Sequence, residues 1–220
     1  SIASTMLASL SRDDLAGLVE AMVEREPSLM EMVEAVTDPS ASSVDVEELR
    51  GKISAAVNRR NMTDAIEDLG ELWTIADDRS KNGRWLDAGT IYQELLSAVA
   101  GSYDDMSLRG DSDEQDDLSS LTTDCVNGLR DCFDNVNWDL AARQFWLSAV
   151  LDALLTDVIQ GGICFAEGAA QILTDYPTEK EWPLLERRLI EALSRCRPDW
   201  EGARAQLAEV LSGWNDRHGR

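Results

Sequence analysis

The stretch 85–101, WLDAGTIYQELLSAVAG, sets large apolar side chains at Trp85, Tyr92, Leu95, Leu96 and Val99 and small ones at Ala88 and Gly89. Steps of three and four repeat throughout, which is the period of one helical face, so a helix is predicted from Trp85 to near Gly101. Upstream, Asn82-Gly83 marks a tight turn, and Ile66, Leu69, Trp73 and Ala76 form an earlier stripe behind the cap candidate Thr63. Val46, Leu49, Ile53 and Val57 form another. Before them, Asp38-Pro39 and a Ser-rich run interrupt the pattern, so 39–45 is read as a linker. Residues 1–38 are then a helical hairpin. Leu15, Leu18, Val19, Met22 and Val23 follow the cap candidate Ser11 in a helix over 12–25. Pro27 opens a shorter helix carrying Leu29, Met30, Val33 and Val36.

Downstream, 102–117 holds Asp104, Asp105, Asp111, Asp113, Glu114, Asp116 and Asp117 around the isolated Met106 and Leu108, and is expected to be a mobile, solvated acidic loop. Helices are predicted over 118–134 and 138–159, the latter stopped by Gly161-Gly162, and over 164–174. Thr178-x-x-Glu181 resembles a capping box for the next helix, with Pro183 delaying its regular part, and Pro198 opens a last helix striped by Trp200, Ala203, Leu207, Val210, Leu211 and Trp214. No segment alternates apolar and polar residues over a strand's length. The reading is an all-α fold, about ten helices in an irregular antiparallel helix-pair array or bundle, with 46–220 as the main domain.

Four of these helices open with tryptophan: Trp85, Trp138, Trp182 and Trp200. Trp85-x-x-Ala88-Gly89-x-x-Tyr92 resembles the start of a tetratricopeptide repeat, with Ala88 in place of Leu. The starts lie 53, 44 and 18 residues apart, so no regular 34-residue period exists. The small residues at 88 and 89 imply a close helix approach flanked by rings. The stretch from 62 to 215 also resembles the helical region that accompanies SWIM-type zinc fingers in some prokaryotic proteins. The likeness is carried by Gly83-Arg84-Trp85, Ala142-Arg143, Asp157 with Gly161-Gly162, and Thr178 to Trp182. The zinc finger itself is absent, since His218 has no cysteine two residues before it. The resemblance therefore implies a helical, protein-binding accessory module and transfers no zinc or DNA role to any residue.

At 220 residues the chain can bury a core that needs neither disulfide nor metal. Its formal charge of −22 repels phosphates and anionic membranes, so direct nucleic-acid binding is not expected. Only three of its 20 basic residues are lysine (Lys52, Lys81, Lys180), and 24 of the 42 acids are Asp. That skew is similar to proteins of salt-accumulating halophiles and predicts adaptation to high internal salt. The opening Ser1 to Ser4 resembles no export or organelle signal. Phe145 to Ile159, the longest apolar stretch, is broken by Ser148, Asp152, Thr156 and Asp157 and falls short of the roughly 18 to 20 residues of a membrane span. A cytoplasmic location without membrane contact is expected.

No catalytic, cofactor or metal residue is assigned. Cys125 and Cys132 share the helical stripe Leu118, Leu121, Cys125, Leu129, Cys132 and read as small buried hydrophobes, and with Cys164 and Cys196 they form no CxxC pair. The single histidine, His218, falls in a C-terminal tail expected to fray, leaving no base for a nucleophile. Asp111-x-Asp113-x-Gln115 imitates an EF-hand start, but its sixth position is Asp116 and its twelfth Thr122 where the loop needs Gly and Glu. Asp152 and Asp157 are placed on an exposed strip of their apolar helix, the alternative being a functional buried acid. Arg59-Arg60, Arg187-Arg188 and Arg195-x-Arg197 read as ion-pair partners for neighbouring acids. The function expected is a non-enzymatic protein-interaction or adaptor module with a protein partner, its oligomeric state open. The alternatives are a carboxylate-based ligand binder or enzyme, and an acidic nucleic-acid mimic.

Overall fold

The computed structural model describes residues 12–26, 29, 44–136, 141–160, 165–197 and 200–219. Among these are nine helices and no strand. They are α1 (Arg12–Arg25), α2 (Val46–Val57), α3 (Met62–Lys81), α4 (Trp85–Ser107), α5 (Ser112–Asn135), α6 (Ala141–Ile159), α7 (Ala169–Asp175), α8 (Trp182–Arg195) and α9 (Glu201–His218). The fold is all-α, an irregular helical bundle. The expected second helix of the hairpin, Gly161-Gly162, Cys164, Trp138 and Pro198 lie outside the described residues, apart from Leu29.

Helix α4 is the hub. Leu86, Ala88, Gly89, Ile91, Tyr92, Leu95, Leu96 and Val99 are all buried, covering most of its circumference, and a helix apolar on most sides must be surrounded. It packs against α2, α3, α5 and α6. Two glycines set the closest approaches. A Cβ built on Gly89 falls 2.3 Å from Cζ2 of Trp146 on α6, and one on Gly128 of α5 falls 2.4 Å from the Tyr92 ring. The small position read from the Trp85 motif is thus the seat of an indole from the neighbouring helix. Neither ring can retreat, since Trp146 and Tyr92 are buried. Alanine at Gly89 or Gly128 is expected to cost about 1–3 kcal/mol by overpacking, less the roughly 1 kcal/mol gained in helix propensity. Urea midpoints measure it, and an unchanged midpoint would mean that the ring shifts freely.

The C-terminal helices join the same core, where α7 bridges α6 and α9. Trp182 at the start of α8 stacks on Trp214 of α9, ring centroids 4.3 Å apart and 3° from parallel. The Trp182 Nε1 is buried with no hydrogen-bond partner among the described residues, whereas Trp214 Nε1 donates to the Pro177 carbonyl at 3.4 Å. The predicted reciprocal bonds of Thr178 and Glu181 are present: Thr178 N donates to Glu181 Oε2 (2.8 Å) and Glu181 N to Thr178 Oγ1 (3.4 Å). The helix proper begins one residue later, at Trp182, with Pro183 in its first turn.

Several boundaries differ from the sequence reading. The acidic stretch 102–117 is not a loop: α4 continues to Ser107 and α5 begins at Ser112, leaving four connecting residues. Tyr103 and Met106 are buried in the core, and that burial carries α4 past Gly101. At α3 the cap is Asn61, whose side chain accepts from Thr63 N at 3.0 Å, rather than Thr63. The stretch expected as a helix over 164–174 is helical only from Ala169, behind Gly168 at φ 85°, a left-handed conformation that suits glycine. His218 is not in a frayed tail. It lies in the last turn of α9, stacked on Trp214 at 4.0 Å, with Nδ1 2.9 Å from the Trp214 carbonyl.

Candidate functional site

Most residues singled out in the sequence serve the fold. Cys125 and Cys132 are buried, and burial pushes the Cys125 thiol pKa well above its ordinary value, which keeps it a protonated packing group. Asp111, the start of the EF-hand imitation, caps α5. Its Oδ1 accepts from the amides of Asp113 (3.1 Å) and Glu114 (3.0 Å). Glu114 closes the box through Asp111 N (3.0 Å) and takes the Thr63 hydroxyl at 2.7 Å, tying α5 to α3. Among the described residues no group of three or more His, Cys, Asp and Glu converges as a metal site.

The pair Asp152 and Asp157 separates. Asp152 is partly exposed and pairs with Arg188 of α8, but Asp157 is only 5% exposed, which corrects its placement on an open strip. Its Oδ1 accepts the Phe165 amide at 3.1 Å. Thr122 of α5 donates to the Phe165 carbonyl, and the Phe165 ring meets Tyr103 edge-on at 4.7 Å. The buried carboxylate therefore anchors the approach to α7. Burial, then Asp157 and Asp104, raise the pKa of the Tyr103 phenol.

A second buried charge is Arg143 on α6, which the sequence reading names only as part of the Ala142-Arg143 likeness. Its Nε donates to Glu181 Oε1 (3.1 Å), Nη1 to the Val136 carbonyl (2.7 Å) and Nη2 to the Tyr176 carbonyl (2.9 Å), and its guanidinium lies 5.0 Å from the Phe133 ring centroid. One side chain thus joins the ends of α5 and α7 to the start of α8. The signal available in sequence is an arginine opening an otherwise apolar helix.

One arginine of each island read as ion-pair partners is shown with an acid. Arg59 bonds Asp68 at 2.8 Å, Arg188 takes Asp152 as well as the Ser148 hydroxyl (3.0 Å), and Arg195 takes Glu191. Two of these arginines also border a cleft of about 230 Å³ between α6 and α8. Leu155, Val158 and Ile159 of α6 and Ala192 of α8 form its apolar wall, Trp200 closes one end, and Arg188, Glu191 and Arg195 stand at the rim. Ile159 is 60% exposed there. A smaller recess of about 110 Å³, lined by Gln144, Leu147, Leu184 and Leu185, continues the same α6–α8 seam toward the start of α8. The chain matches no family model, no curated protein and no solved structure. The reading of the seam therefore rests on its own chemistry.

That chemistry is a wall of aliphatic carbons beside an indole and guanidinium groups. Tryptophan and arginine are among the side chains most enriched at positions that dominate protein–protein binding energy. The surrounding stretch 182–204 holds five arginines against four acids, a small positive balance in a chain of charge −22. Arg197 lies over the Trp200 ring at 5.7 Å, and Arg204 Nη1 donates to the Cys196 carbonyl at 3.3 Å. Sequence reasoning misses the cleft because its two walls come from helices more than twenty residues apart. Trp200 beside Arg195-x-Arg197 is the local hint.

Proposed function

We propose that this chain is a non-enzymatic helical protein-interaction module, working in the cytoplasm of a salt-accumulating cell, whose docking surface is the α6–α8 seam. The observation that carries the reading is Ile159 and Trp200 beside Arg188 and Arg195 in one open cleft. An apolar segment flanked by carboxylates fits this lining, with the aliphatic wall supplying burial and the arginines supplying register. Among the described residues no helix is long and apolar enough to cross a membrane. The two aspartates that a carboxylate-based ligand binder would use are engaged elsewhere, Asp152 with Arg188 and Asp157 with the Phe165 amide. The likeness to helical regions beside SWIM-type zinc fingers is in keeping with an accessory role of this kind.

A photo-crosslinker at position 184, introduced as Leu184→p-benzoylphenylalanine, tests the reading in lysate held at high salt. A single stoichiometric protein adduct is expected, and Ile159→Glu should reduce its yield by about tenfold or more while leaving helicity unchanged, since Ile159 is exposed. An adduct of equal yield in the Ile159→Glu background would place the partner somewhere other than the cleft.

A further inference from the structure

The sequence carries a segment whose chemistry is the complement of the cleft. Helix α1 bears Leu15, Leu18, Val19, Met22 and Val23 along one stripe, yet Leu18, Val19 and Met22 are 40%, 38% and 47% exposed. An amphipathic helix gains most of its stability by burying such a stripe, and α1 leaves it largely open. We propose that the cleft is filled by α1 of a second copy of this chain, the two copies exchanging α1 reciprocally. The inference rests on the docking role assigned above to the α6–α8 seam and names its occupant.

Three properties fit the two surfaces together. Length is the first: α1 has 14 residues, about 21 Å of helix, and the seam from Gln144 to Ile159 spans about 22 Å. Charge is the second. Residues 12–26 hold five acids against two arginines, and the cleft lining holds Arg188 and Arg195 against the single acid Glu191, the arginines pairing with Asp152 and Glu191 in the free chain. Two bodies of −22 repel over most of their surface, and that repulsion is relieved locally at 182–204, where five arginines stand against four acids. Symmetry is the third. Exchanged reciprocally, helix and cleft make a two-fold pair in which each contact is made twice.

Cys196 lines the cleft as a free thiol, which allows a direct test on the full chain. A Met22→Cys variant is prepared as an equal mixture of ¹⁴N- and ¹⁵N-labelled protein at about 2 M KCl, oxidised and digested. Mass spectrometry then reads the disulfide-linked peptide pair that joins position 22 to Cys196. The expected result is mixed-label pairs. Pairs of one label only would mean that α1 folds back on its own cleft, and absence of the pair would remove α1 as occupant; both overturn the proposal. Sedimentation equilibrium supplies the second readout. Wild type should dimerise more tightly as KCl rises and self-repulsion is screened. Met22→Glu and Ile159→Glu should each weaken the dimer by at least about tenfold, while the two variants mixed should form a heterodimer through the one intact α1–cleft pairing. A wild type that stays monomeric, a dimer indifferent to both substitutions, or no heterodimer would each overturn the exchange. The docking role itself fails if no Leu184 adduct forms or if the adduct ignores Ile159→Glu, whereas an Ile159-dependent adduct without the position 22–Cys196 pair removes only the exchange, so the two failures are distinguishable.

Discussion

Alanine at Glu181 is expected to destabilise the fold by about 3–5 kcal/mol, because it strands the Arg143 guanidinium in the interior without its carboxylate. Arginine cannot escape by losing its proton, so the full desolvation cost stays in the native state. The Glu181 carboxylate also accepts the Thr178 amide, so its removal frees a second donor at the start of α8. The complementary change is milder. Arg143→Met with Glu181→Leu removes both charges and should cost less than Glu181→Ala alone, the residual loss coming from the Val136 and Tyr176 carbonyls that Arg143 serves. Urea denaturation of Arg143→Met, Glu181→Leu and their double, analysed as a cycle, measures the coupling. A Glu181→Ala loss below about 1 kcal/mol would show that water reaches the guanidinium and that the pair is not a structural hub.

The second large effect concerns salt. A charge of −22 on 24.3 kDa repels itself over a Debye length of about 30 Å at 0.01 M ionic strength, but only about 3 Å at 1 M. The start of α5 concentrates this repulsion, with Asp111, Asp113, Asp116 and Asp117 exposed within two turns. The thermal midpoint should therefore rise substantially between about 0.05 M and about 2 M KCl, most of the gain falling below about 1 M, where screening changes fastest. A further rise beyond that reflects salt-strengthened apolar burial. Replacing six exposed aspartates by lysine should flatten the curve. A midpoint that does not move across the titration would detach the acidity from salt adaptation and favour the acidic nucleic-acid mimic instead.

How far the sequence is readable depends on what each feature needs. The α4 stripe needs only local spacing, and Trp85 to Val99 lie in the structure as that spacing predicts. Gly101 reads as a stop because glycine costs a helix interior roughly 1 kcal/mol relative to alanine. Burial of Tyr103 and Met106 outweighs that cost, and such burial is a property of the assembled bundle. The burial of Asp157 is within reach of sequence reasoning. Asp152 and Asp157 are five residues apart, which places them about 140° apart around a helix, so they cannot share a narrow strip. The partners of Arg143 and the facing walls of the α6–α8 cleft lie beyond any local pattern, because they come together only where α6 meets segments further along the chain. His218 shows the same limit. Its ring has a place only once α9 brings Trp214 beneath it.

The stack of Trp182, Trp214 and His218 also gives the molecule an optical signature. Two parallel indoles in van der Waals contact couple electronically, so the junction of α8 and α9 is expected to contribute to the near-ultraviolet dichroism, and among the described residues no other two indoles are stacked. The one imidazole in the chain lies against the Trp214 ring and extends the stack. Opening of the C-terminal junction can thus be followed with the native chromophores while α4 and its neighbours remain folded.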